Sequence, residues 1–440
     1  MAQISLWASG DENPANLQRI TDAVSALNNS AALPSSGREK AEFILEYMHA
    51  NILRSYSLYQ TRIDTIFTNG RFNCVSSAVL YMILCKSAGI NTSGVITKEH
   101  AFIIAHIDGQ NIDVETTNRY GFDPGNRKEF HDQFGRLTGF SYVPAQNYRD
   151  RQTINQIELI SLVFINRISE NERANRYAQA VPLAIDRTVL LAGGSFSDNA
   201  SHSAETLFEN PLNVLFDRLI NYGASLLRAN REEEALTWAV SASALYADSA
   251  RWQEFFLAAV NNRVARFIRE RKMTEAGIFL NANSALLTRE NFMQIDIMLT
   301  DADISNRANV IRSEAEGNAM LDDIILARQS GRLPERRAAE LITFTIQKTA
   351  STFAAGRDWR AAANYVERSI ARFGSSRELE QSMRTYRDNI AADFHNRFAA
   401  EWNRQNYEEA ERILNEGLAE FPDNRQLLSN REIVNRHNSR

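Results

Sequence analysis

The chain has 440 residues, 44% of them hydrophobic and 23% charged, with a formal net charge of -5. That length exceeds one ordinary core and predicts two or three domains of soluble, globular composition. A mildly acidic chain with no dense basic face excludes phosphate-backbone recognition as its main purpose, so no nucleic-acid partner is expected.

No run of eighteen apolar residues is present, so no transmembrane segment is expected. The start Met-Ala-Gln-Ile-Ser-Leu-Trp lacks the pattern of a secretory signal. Compartment stays open between cytoplasm and, for a chain whose signal has been removed, periplasm.

In chain order, the first clear element is an amphipathic helix over residues 38–57, with Phe43, Ile44, Tyr47, Met48 and Ile52 at helical spacing. Thr68-Asn69-Gly70 marks a turn. Asn73 then stands as N-cap of a helix from Cys74 to Ala88, with Gly89 at its C′ position and Ile90 just beyond. This helix is apolar nearly all round, which predicts burial. The period then changes. Val95 to Thr97 is β-prone, and Ala101 to Ile107 and Gln110 to Thr117 flank Asp108-Gly109, a strong signal for a two-residue hairpin turn. From about Tyr148 the pattern is helical to the end, interrupted by a loop at Gly193 to Ser203.

Within the helical part an aromatic residue stands three before an alanine at Tyr177…Ala180, Trp359…Ala362 and Tyr407…Ala410, with weaker copies around Ala235 and Ala276. Leu418 and Pro422 follow the last alanine at eight and twelve residues, which ends one helix and predicts the next from near Asn424. These offsets resemble the tetratricopeptide repeat, in which small residues let the two helices of a hairpin approach closely. The anchor alanines lie 55, 41, 86 and 48 residues apart. Each interval is longer than the usual repeat of about 34 residues, so the repeats are degenerate. Five or six helical hairpins stacked into a solenoid are expected over residues 155–440. The expected domains are 1–150 and 151–440, with a break near 193–204.

Residues 70 to 117 carry the chemistry. Cys74 falls in the opening turn of its helix, where free N–H groups and the positive end of the helix dipole favour a thiolate. The same N–H groups are placed to stabilise an oxyanion, with Gln60 or Tyr59 as a candidate second donor. His100 stands just before the first hairpin strand, as a base for the thiol. With a two-residue turn, residues directly opposite each other sum to 217. His100 then faces Thr117, and Glu115 is its diagonal neighbour on the same sheet face. Asp113, opposite Ile104, lies one step further away and is the alternative third member. A three-residue loop would reverse the parity and put both acids on the far face.

Cys85 lies on the same helix, about 16 Å from Cys74 at roughly 1.5 Å per residue, too far for a disulfide, and reads as core. His106 shares the face of His100, but a metal set of Cys74, His100 and His106 lacks compact ligand spacing. No metal and no cofactor are expected.

Gly70-Arg71-Phe72-Asn73-Cys74-Val75-Ser76-Ser77-Ala78, Ala88-Gly89-Ile90, His100-Ala101-Phe102 and Asp113-Val114-Glu115-Thr116-Thr117 together resemble the transglutaminase-like superfamily of bacterial proteins, over about residues 40 to 125. The resemblance implies an α+β, papain-like N-terminal domain ahead of an all-α, tetratricopeptide-like solenoid, mostly α overall. It implies Cys74 as nucleophile and His100 as general base. Glu115 takes the position usually held by Asp, and Thr116 the position of Pro. The interval of 26 residues from Cys74 to His100 is closest to the compact bacterial branch.

The implied activity is thiol-dependent acyl transfer on an amide bond of a protein or peptide. Hydrolysis is favoured over crosslinking because no calcium site is indicated, and the repeats would bind substrate or partner. The alternative is a non-catalytic interaction scaffold with a degenerate transglutaminase-like domain.

Overall fold

The computed structural model describes residues 1–98, 100–125, 130, 136, 151–193, 207–244 and 250–438. The chain is mostly helical, with a small sheet region near the N-terminus followed by helices. Its contacts divide it into two units, Met1–Trp252 and Gln253–Arg440. The first unit thus runs past residue 150, where the sequence reading drew its line.

In the first unit α1 (Ala2–Ser9), α2 (Pro14–Asn28) and α3 (Gly37–Asn51) lead into β1 (Ser55–Tyr56), α4 (Ile63–Asn69), β2 (Arg71–Phe72) and α5 (Cys74–Ser87). The helix expected to reach residue 57 ends at Asn51. The N–H groups of Ile52 and Leu53 both bond back to Met48 O, at 2.9 and 2.8 Å, and the chain leaves to pair β1 in parallel with β2. Helix α5 is the centre of the unit. Val75 through Cys85 are all buried along it, and the Tyr81 hydroxyl donates to Ala41 O of α3 at 3.0 Å. Burial of Leu80, Met82, Ile83 and Leu84 stabilises the fold by about 1.5–3 kcal/mol each. The helix closes with Gly89 at φ +81° and the Ile90 N–H on Cys85 O at 2.8 Å.

Strands β3 (Asn91–Ile96), β4 (Ala101–Ile107), β5 (Gln110–Val114) and β6 (Gln152–Ile154) form an antiparallel sheet in the order β5-β4-β3-β6. Asp108 and Gly109, with φ of 49° and 79°, make the two-residue turn of the mirror-image type that hairpin twist demands. Ile107 pairs with Gln110, and the ladder runs to Ile103 opposite Val114.

β5 stops three residues short of the expected Thr117. The Glu115 N–H turns to Gly121 O at 2.8 Å, the Asp123 N–H reaches Asp113 O at 2.9 Å, and Phe122 bridges back to Val114. The expected pairing of His100 with Thr117 therefore does not form. This return depends on Gly121, because a Cβ there would stand 2.0 Å from Glu115 O. β6 is a strand that the helical pattern concealed; it is followed by α6 (Gln156–Arg173), which packs on β3, α5 and α1. Tyr148 and, apart from Gly193, the expected loop to Ser203 lie outside the described residues.

The first unit continues with α7 (Tyr177–Leu191), α8 (Pro211–Arg228) and α9 (Glu232–Ser243). The second holds most of α10 (Ala250–Arg269), then α11 (Met273–Ala282), α12 (Arg289–Asn309), α13 (Glu314–Gln329), α14 (Glu335–Ala355), α15 (Trp359–Phe373), α16 (Arg377–Asn403), α17 (Tyr407–Glu420) and α18 (Arg425–Asn438). From α11 onward each helix touches the next. In addition α12 touches α14, α14 touches α16, and α16 touches α18, which is stacking by nearest and second-nearest neighbours.

One turn recurs. Asn175, Asn230, Arg271, Arg357 and Gln405 all have left-handed φ between 57° and 66°. After each, the next N–H reaches back five residues: Arg176 to Asn171, Arg231 to Leu226, Lys272 to Phe267, Asp358 to Phe353, and Asn406 to Glu401. This is a Schellman closure of the preceding helix. Each left-handed residue stands five before one of the anchor alanines, Ala180, Ala235, Ala276, Ala362 and Ala410, all exposed by 1% or less. Among the described residues no helix is long and apolar enough to cross a membrane.

Candidate active site

Cys74 is the first residue of α5 because Asn73 caps it. The Asn73 side chain accepts from the Ser76 N–H at 3.0 Å, and the Ser76 hydroxyl accepts from the Asn73 N–H at 2.9 Å. This reciprocal box leaves the N–H groups of Cys74 and Val75 as those of the first turn that the cap does not use. Asn73 Nδ2 also donates to Leu58 O at 3.2 Å, and the Ser76 hydroxyl lies 3.0 Å from Gln60 O. The segment after β1 is therefore tied to the helix start. Cys74 itself is partly exposed.

His100 sits at the end of the tight connection from β3 to β4, where the Thr97 N–H donates to His100 O at 2.9 Å. Its Nε2 lies 2.6 Å from Glu115 Oε2, with side-chain exposures of only 12% and 3%. Cys74 and His100 line the same pocket wall, and the interaction with the Cys74 side chain helps raise the imidazole pKa. With Nε2 taken by Glu115, Nδ1 is the nitrogen that remains for sulfur. The other oxygen of Glu115 accepts from the Thr117 hydroxyl at 2.8 Å and the Thr117 N–H at 3.3 Å. Burial pulls the His100 pKa down, but the charge and hydrogen bond of Glu115 and the interaction with Cys74 outweigh it, and the pKa stands well above 6.5. The imidazole is thus poised as a cation between a thiol and a carboxylate.

Asp113 is not part of this chain. Both its oxygens face Arg151, at 2.5 and 2.9 Å, and it lies opposite Ile104 as the register requires. His106 is exposed and bonded to Ser93 Oγ and Asn111 Oδ1, each at 2.8 Å. Among the described residues no group of three His, Cys, Asp or Glu side chains is placed to hold a metal. Cys85 is fully buried, and burial pushes its thiol up to about 12, with neighbouring Tyr81 opposing the shift. Tyr59 is 63% exposed, under the guanidinium of Arg173, and is not among the residues that wall the pocket beside Cys74. Gln60 has its Nε2 buried with no hydrogen-bond partner among the described residues.

Three contributors were not read from the sequence. Tyr56 has its pKa raised by burial and by the neighbouring charges of Cys74 and Glu115, so it stays a neutral phenol beside the site. Its position on a two-residue strand leaves no periodic signal. Arg187 lines the same pocket from α7, more than a hundred residues away in sequence.

His49 on α3 holds the loop that carries Glu115. Its Nε2 lies 3.1 Å from Thr116 O, while the Thr116 hydroxyl meets Ser77 Oγ at 2.8 Å. Burial lowers the His49 pKa to about 4, with Arg119 adding to the effect and the Thr116 bond opposing it. The ring is therefore neutral at pH 7 and donates from Nε2.

A folded pKa below the unfolded value of about 6.5 means the unfolded chain binds the proton first. The stability is full above pH 6.5 and is lost as pH falls toward 4, a change of roughly 3 kcal/mol at most. His100 has the opposite sign, its contribution being full in this window and lost only as pH rises through its raised pKa. Acidification from pH 7 to 4.5 should therefore destabilise the native chain more than His49→Gln, by urea titration. Equal losses would remove His49 as the cause.

The pocket beside Cys74 has a volume of about 340 Å³ and is walled by Cys74, His100, Ile96, Leu162, Arg187 and Phe208 among others. Compared with known proteins, the chain matches no family model, no curated protein and no solved structure.

Proposed function

We propose that the chain is a thiol-dependent acyl-transfer enzyme, a transglutaminase-like, papain-like cysteine peptidase or amidase acting on an amide bond of a protein or peptide. The observation that carries this reading is Cys74 and His100 at the wall of one pocket, with His100 Nε2 held 2.6 Å from the Glu115 carboxylate. The Cys74 thiolate attacks the carbonyl carbon and forms a C–S bond. The N–H groups at the start of α5 receive the oxyanion. Collapse breaks the C–N bond while the His100 imidazolium gives its proton to the departing amine. Water, or a second amine, then attacks the thioester carbonyl as His100 takes its proton, and the C–S bond breaks to release the acid or new amide and return the Cys74 thiolate beside the imidazolium. Glu115 holds the ring and offsets its charge. The recurrent hairpin closures support tetratricopeptide-like repeats as the part that binds the protein or peptide.

Incubation with p-nitrophenyl acetate should give a burst of nitrophenolate, with the acetyl group mapped to Cys74 by mass spectrometry. Cys74→Ala should show neither. Added amine should divert the acetyl group if the second step is transamidation. A native chain that is never acylated at Cys74 would sink the enzyme reading and leave the interaction scaffold.

A further inference from the structure

The mechanism above leaves one buried cation in the pocket unexplained. Arg187 is 1% exposed, and its Nη2 donates to Glu209 O at 3.1 Å. Its Nε and Nη1 are buried with no hydrogen-bond partner among the described residues. These two nitrogens carry three N–H groups, so most of the donor capacity of this side chain is unmet. The guanidinium lies over the Phe208 ring at 5.0 Å from its centroid, and the charges of Glu158 and of Glu209, which lines the same pocket, act on it without a hydrogen-bonded carboxylate among the described residues. Burial lowers its pKa to about 10, so it stays charged at neutral pH.

A buried guanidinium with three unmet N–H groups is expensive to keep, and replacing it by an apolar side chain removes that cost. The wall around it holds the apolar Leu162, Ile165 and Leu207 and the charged Lys98 and Glu209. A charge held rigid here, with donors left open, is the arrangement of a site that receives an anion with the ligand.

We infer that Arg187 binds a carboxylate of the acyl donor, so that the pocket takes a peptide bearing a negative charge close to the scissile amide. A chain-end carboxylate and an acidic side chain present the same group. This inference rests on the thiol reading only for the bond that is broken, and the anion site stands or falls separately.

The test is protection of Cys74 from iodoacetamide, since ligand in the pocket covers the thiol that lines it. Acetyl-aspartyl amide carries a side-chain carboxylate, acetyl-alanine a chain-end one, and acetyl-alanine amide neither. At least one carboxylate ligand should protect at about tenfold lower concentration than the neutral amide, and which one does so identifies the source. Arg187→Met should abolish that difference while melting no lower than the native chain. Should that variant not fold, Arg187→Gln carries the same comparison.

Equal protection by charged and neutral ligands, or a difference that survives loss of Arg187, would overturn the inference. If Cys74 reacts with iodoacetamide no faster than a buried thiol, the proposed chemistry fails instead. The anion site is then read from the thermal upshift given by the same ligands, where the carboxylates should stabilise more than the amide and only with Arg187 present; equal upshifts would overturn it.

Discussion

Glu115→Gln should slow turnover of an amide substrate by about a hundredfold, whereas Glu115→Asp should retain part of the rate. The carboxylate does two things that the amide cannot. It holds Nε2 at 2.6 Å, which leaves Nδ1 as the nitrogen for sulfur, and its charge helps lift the His100 pKa well above 6.5 against the pull of burial. Glutamine keeps the shape and the contacts to Thr117 but supplies no charge, so the imidazolium loses its proton at lower pH. The alkaline limb of the rate profile should move down accordingly, because breaking the C–N bond needs that proton. A steady-state pH series on the three chains checks both expectations. A glutamine variant within twofold of the native rate, with an unmoved alkaline limb, would show that Glu115 only packs there.

The second large effect concerns the two thiols. Cys74 and Cys85 lie on one helix, yet iodoacetamide at pH 7 should modify Cys74 about a thousandfold faster. Burial leaves Cys85 fully covered, with its pKa pushed up to about 12, so almost none of it is thiolate at neutral pH. Cys74 stands at the open end of the helix with an imidazolium against it. His100→Ala should remove that partner and slow Cys74 at least about tenfold while leaving Cys85 unchanged. Peptide mapping of the alkylated chain over time separates the two sites. Similar slow rates at both would mean that the helix start confers no reactivity.

Much of the site was legible because it is local. Asn73 as a cap, Gly89 as a terminator and Asp108-Gly109 as a turn are each written in a few adjacent residues. The turn fixes the parity that puts both acids on the face of His100, and the register then places Glu115 nearer to it than Asp113. What was not legible comes from tertiary demands on backbone groups. Glu115 lies beyond the last ladder pair, because its N–H is taken by Gly121 O, and no alternation in the sequence marks where β5 stops.

The helix expected to reach residue 57 stops at Asn51 for a similar reason, the parallel pairing of two very short strands. β6 was hidden by its brevity and by the helical pattern that follows it. In the repeats, the alanines marked hairpins. The left-handed turn five residues before each did not show, because arginine and glutamine occupy it as well as asparagine, and only the Schellman closure makes the conformation worthwhile.

The approach of Gly121 to the Glu115 carbonyl bears on how such a site is lost. A methyl group at position 121 would collide with main chain rather than with a side chain that can swing away. The loop would have to reopen, and the carboxylate would leave the imidazole with it. A chain could then keep its cysteine, histidine and glutamate intact and still be chemically silent. Sorting working members of such a lineage from decayed ones therefore calls for checking the residue six places after the acid, where no reacting group stands.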